Sequence, residues 1–89
     1  MILEKEIYNE LPENFRNSIF MYIENKVKPD SFLCAVIRND LFDAIGHFNG
    51  DLNELKQLNE LKQILFWFIW QAPHKCWGSK EKMNQWLSV

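Results

Sequence analysis

The sequence predicts an all-α fold, a single small domain of about five short-to-medium helices over residues 1–89. Three observations carry this expectation. Apolar residues recur at helical spacing in every long segment. No stretch alternates apolar and polar with the period of a strand, and the β-branched residues are scattered through the helical patterns. The chain is also short enough for one core only, and a composition that is 47% hydrophobic, with four Trp and seven Phe, fills that core without disulfide or metal staples.

Ile2 to Asn9 can form a first short helix, which Leu11-Pro12 ends or redirects. Pro12 suits the first turn of a second helix, where its missing N–H has no intrahelical partner anyway. Leu11, Phe15, Ile19, Tyr22, Ile23 and Val27 share one broad face of that helix, with Phe20 at its margin. Lys28-Pro29-Asp30 interrupts the pattern, and Ser31 stands where an N-cap would open a third helix from Phe32 onward. This third helix carries Leu33, Ile37, Leu41, Ala44, Ile45 and Phe48 on one side. Its middle, Arg38-Asn39-Asp40, holds poor helix formers, so Asp40 is expected to cap a fresh turn and split the segment. Gly46 to Gly50 makes the next connection, with Asn49-Gly50-Asp51 as turn and cap.

Asp51 to Trp70 reads as the longest helix and contains an echo, Leu52-Asn53-Glu54-Leu55-Lys56-Gln57 followed by Leu58-Asn59-Glu60-Leu61-Lys62-Gln63. Two copies are too few for a solenoid. Leucines every three residues fall short of a full turn, so they wind around the helix instead of keeping to one stripe. The run from Ile64 to Trp70 adds large apolar side chains at every position, more than one small core can face. Pro73 ends this helix, and Ser79 caps a final one through Trp86, with Glu81 in its first turn.

Composition removes several function classes. A net charge of −2 with interspersed signs provides neither a basic face for nucleic acid nor a carboxylate surface that mimics it. The longest apolar run is far below the ~18–20 residues of a membrane span, so no membrane role is expected. Cys34 and Cys76 lack secretory spacing, and Met1-Ile2-Leu3 is followed at once by charged residues; reduced thiols in a cytoplasm are expected. No catalytic signature is present, and no catalytic residue or cofactor is assigned. Asp40, Asp43 and His47 would share one side of a continuous helix, and His74 with Cys76 would complete a metal site on paper. Capping accounts for Asp40, paired-ligand spacing is missing, and no metal is assigned. Cys76 and His74 are sequence neighbours, a poor basis for a catalytic dyad, and Cys76 is expected as a buried filler.

Four residues are candidates for holding an anionic ligand. Arg16 projects into the apolar arc of the second helix, where its guanidinium requires an internal partner, Asp40 or Asp43, an escape to the edge, or a phosphate. Arg38 supplies a second charge. Trp77 either folds back on the core or stacks on a base, and Ser79 caps the last helix, whose first N–H groups suit an anion. Phe66, Trp67 and Trp70 are the candidate interface, with a homo-oligomer as the natural cover.

The ordered motifs Leu11-Pro12 with Arg16, Tyr22-Ile23-Glu24, Pro29-Asp30-Ser31-Phe32-Leu33 with Ala35-Val36-Ile37 and Asn39-Asp40-Leu41, then Ala72-Pro73 with Cys76-Trp77-Gly78-Ser79 and Glu81-Lys82 resemble a family of short uncharacterised bacteriophage and prophage proteins. The family pattern has SFLxAVxxNDL and APxxCWGSxEK at its heart. This chain departs from it at Asp30, where the family has glycine, at Gly46-His47-Phe48-Asn49, at Gln71 and at Lys80. The resemblance implies a phage accessory protein in a bacterial cytoplasm that counters host defence. Two modes are expected from it: sequestration of a small anionic nucleotide signal, or inhibitory contact with a host defence protein through the aromatic helix.

Overall fold

The computed structural model describes residues 1–48 and 50–88. It is all-α, with no strand among the described residues. In chain order the helices are α1 (Lys5–Tyr8), α2 (Glu13–Asn25), α3 (Ser31–Ile37), α4 (Leu41–His47), α5 (Leu55–Trp70) and α6 (Lys80–Leu87), with a 3-10 turn at His74–Cys76 before α6.

The core is built around α3. Phe32 to Ile37 are six consecutive buried residues, so this helix is covered on every side. Leu11, Ile19, Tyr22 and Ile23 close on it from α2 and its approach, Ala44 from α4, Ile64, Trp67 and Phe68 from α5, and Met83 from α6. The sequence pattern placed the all-round apolar helix later in the chain. The shortness of α3 resolves this, because seven residues are few enough for four neighbours to surround.

Boundaries follow local hydrogen bonds. Ile2 and Leu3 stay out of α1 because their N–H groups donate to the Glu24 carboxylate at 2.7 and 2.9 Å, and the Tyr8 hydroxyl donates to the same group at 2.5 Å. This leaves α1 a single turn. Helix α2 stops at Asn25 because Lys26 takes a left-handed conformation, φ 59°, and Val27 returns its N–H to the Met21 carbonyl. Val27 therefore leaves the buried stripe and lies exposed. The cap of α3 is Asp30, one residue before the expected Ser31; its Oδ1 accepts the Leu33 N–H at 2.9 Å. The expected split at Asp40 is present.

The start of α5 is four residues later than the pattern implied. Asp51 Oδ1 accepts the Asn53 N–H at 2.9 Å, a local turn that competes with helix. Asn49, expected in this turn, lies outside the described residues. The final helix opens as expected, Ser79 Oγ accepting the Lys82 N–H at 3.1 Å. It is fastened to α2 by Trp86, whose Nε1 donates to the Tyr22 carbonyl at 3.2 Å and whose ring lies 3.2 Å below the Lys26 ammonium.

Candidate functional site

Two stretches of irregular backbone meet and position the surfaces that matter. The first joins α3 to α4. Asn39 adopts φ 64°, Asn39 N–H donates to Val36 O at 3.1 Å, and Asp40 N–H reaches back to Ala35 O at 2.9 Å. This is a Schellman stop, and asparagine tolerates its left-handed position better than most residues. Asp40 then caps α4 by accepting the Asp43 N–H at 3.1 Å. The second stretch is Cys76-Trp77-Gly78-Ser79. Gly78, at φ +116°, donates its N–H to Ile37 O at 2.7 Å, and the Cys76 carbonyl accepts the Tyr22 hydroxyl at 2.6 Å.

Trp77 leaves this junction toward an apolar groove between α4 and α5, a cavity of about 190 Å³ lined by Leu41, Ala44, Leu65, Phe68, Ile69 and Trp77, with Asn39 and Asp40 as polar members. Other large apolar side chains are exposed on the same two helices. Phe42 is 94% exposed, with Leu41 and Ile45 beside it on α4; Phe66, Ile69 and Trp70 are exposed on α5, Trp70 at 78%. Leu55 and Leu58 extend the same side of α5.

Lys80 leaves the junction toward a different cavity of about 480 Å³, whose lining includes Lys28, Arg38, Asp43, His47, Lys80 and Asn84. It shares no lining residue with the groove. Asp43 organises its wall: one carboxylate oxygen accepts Arg38 Nη2 and the other lies 3.4 Å from His47 Nε2. Asp40 stands 4.0 Å from Arg38. Cys34 also lines this cavity. Burial pushes its thiol up, against the opposing pull of the charges on Lys28 and Arg38.

The four candidate ligand residues do not share one cavity. Arg16 closes the turn between α1 and α2, Nη2 donating to Asn9 O at 3.2 Å and Leu11 O at 3.0 Å, so carbonyls and neither Asp40 nor Asp43 are its partners. Its Nε is buried without a partner among the described residues. Arg38 faces the polar cavity and Trp77 the apolar groove, with the Trp77 ring 6.5 Å from that of Phe68. Ser79 is committed to its cap. Of the candidate interface, Phe66 and Trp70 point outward, whereas Trp67 is 4% exposed and donates Nε1 to Ile7 O at 2.9 Å. Trp67 is therefore core, because it falls on the side of α5 shared with Ile64 and Phe68.

Sequence reasoning missed Phe42, Lys28 and Lys80. Phe42 was detectable, since it lies off the stripe formed by Leu41, Ala44 and Ile45. The lysines were not, because their meeting depends on how the junction folds.

Cys76 is fully buried, and burial pushes its thiol up to about 12. His74 stands edge-on to Trp77. Among the described residues no three His, Cys, Asp or Glu side chains gather as a metal site, and no helix is long and apolar enough to cross a membrane. No family model matches the chain, and no curated protein or solved structure matches it.

Proposed function

We propose that this chain is a non-catalytic binding protein of the phage counter-defence kind, acting stoichiometrically in the bacterial cytoplasm by seating a segment of a host defence protein across α4 and α5. The phage context rests on the motif resemblance. The observation that carries the binding mode is Phe42, a phenylalanine 94% exposed on α4 next in sequence to Leu41, which lines the apolar groove together with Ile69. Leaving such a cluster in water forgoes about 1.5–3 kcal/mol per large side chain that a partner would recover.

A foreign partner fits better than a second copy. Lys62 stands on the exposed apolar side of α5, its Nζ 5.6 Å from the Phe66 ring centroid. A two-fold interface centred there brings two such lysines together, whereas a partner with a carboxylate pairs with one. Nucleotide sequestration by Arg16, Arg38, Trp77 and Ser79 acting together has less support, since these residues face different parts of the surface.

The test is phage plating on a defended host that expresses the chain, with light scattering of the purified protein. The expected result is restored plating with the wild type, loss with Phe42→Ser and Trp70→Ser, unchanged thermal unfolding of both variants, and a monomer in solution. Full activity of both variants overturns the reading. A dimer that Phe42→Ser dissociates transfers the face to a second copy.

A further inference from the structure

We infer that the polar cavity between α3, α4 and α6 binds a small phosphorylated molecule, held by its phosphate groups through Lys28, Arg38 and Lys80. The inference is independent of the docking face, which lies on other residues.

The first support is charge placement. Three of the ten Lys and Arg side chains line this one cavity, against one of the twelve Asp and Glu, in a chain whose net charge is −2. They arrive from separate places: Lys28 from the loop after α2, Arg38 from the end of α3, Lys80 from the start of α6. Holding like charges around a concavity is unfavourable unless an anion joins them.

The second support is unused donor capacity. Asp43 takes Nη2 of Arg38, which leaves Nε and Nη1 without partners among the described residues. These two groups lie on different edges of the guanidinium, so each can donate singly to a phosphate oxygen. Neither Lys28 nor Lys80 pairs with a carboxylate among the described residues. Asp43 acts as a positioning residue, orienting Arg38 and His47. At about 480 Å³ the cavity falls within the size range of small-molecule sites. Its lining contains no Phe, Tyr or Trp, so recognition runs through phosphate charge and not through base stacking.

Titration calorimetry at low ionic strength with pyrophosphate, AMP and adenosine tests this. Pyrophosphate and AMP bind and adenosine does not. The double variant Lys28→Ala/Lys80→Ala, made at two exposed positions, weakens binding by about tenfold or more while its thermal unfolding stays at the wild-type temperature. Arg38→Lys keeps the charge but loses the remaining guanidinium donors, and weakens binding as well. The inference is overturned by the absence of heat with millimolar pyrophosphate, by adenosine binding as tightly as AMP, or by a double variant that binds like the wild type.

Discussion

The Gly78 N–H donates to the Ile37 carbonyl at 2.7 Å, and this bond docks the turn before α6 onto the end of α3. Because Trp77 and Lys80 flank Gly78, one contact orients both the apolar groove and the charged cavity. Gly78→Ala should therefore loosen both. The new Cβ has room, its nearest neighbours being Lys82 atoms at 3.7 Å, but φ +116° is costly for any L side chain. A loss of about 1–3 kcal/mol in chemical denaturation is expected. Gly46→Ala is the control of opposite sign: it lies inside α4 with nothing within 4 Å of its Cβ, and should stabilise by about 0.5–1 kcal/mol.

Asp30 and Ser31 separate the two capping assignments for α3. Asp30→Ala should cost about 0.5–2 kcal/mol because the Leu33 N–H loses its acceptor, whereas Ser31→Ala should be near neutral. Equal losses in urea denaturation would contradict the observed cap.

Glu24 gives the fold a pH dependence. Burial raises its carboxyl pKa, but the hydrogen bonds from Tyr8, Leu3 and Ile2 outweigh burial and leave it below the ordinary value. A lowered folded-state pKa contributes stability that is present above the unfolded value of about 4.3 and is lost as pH falls through the folded one. Acidification should release residues 1–8 first, seen as early hydrogen exchange at Ile2 and Leu3, and Glu24→Gln should show the same release at neutral pH.

Trp67 and Trp70, three residues apart on α5, should behave oppositely. Trp70→Ser should change stability by no more than about 0.5 kcal/mol, while Trp67→Ala should cost about 3–5 kcal/mol by emptying the core and removing the indole hydrogen bond to the Ile7 carbonyl. Thermal unfolding of the two variants checks this directly.

Cys76 and Cys34 should both resist alkylation at neutral pH and react only after unfolding, because each is buried and each thiol is pushed up by burial. Rapid labelling of either cysteine in native protein would contradict the burial described.

What could be read from the sequence was local. The stripe Leu11, Ile19, Tyr22 and Ile23, the stop at Pro73, the caps Asp40 and Ser79, and the split between α3 and α4 all rest on spacing or on one side chain meeting its own backbone. What could not be read depends on distant partners. The same triplet shows this: Leu52-Asn53-Glu54 lies in the turn before α5, whereas Leu58-Asn59-Glu60 is helical. Identical residues separate because Asp51 precedes only the first copy. Arg16 was correctly marked as anomalous, but its carbonyl partners, Asn9 and Leu11, depend on where α1 stops and how the chain turns into α2. The cavity around Arg38 was invisible for the same reason, since Lys28 and Lys80 meet only after α6 docks.

The clasp of Tyr22 and Lys26 on Cys76 and Trp86 also constrains the order in which the fold can close. A nascent polypeptide emerging from the ribosome has completed α2 well before Cys76 or Trp86 is made. Until those residues clear the exit tunnel, the hydroxyl of Tyr22 must be served by water, while its carbonyl has only the Lys26 N–H. Translation delivers the locking piece well after the helix it locks, so α2 waits for α6 before it is fastened.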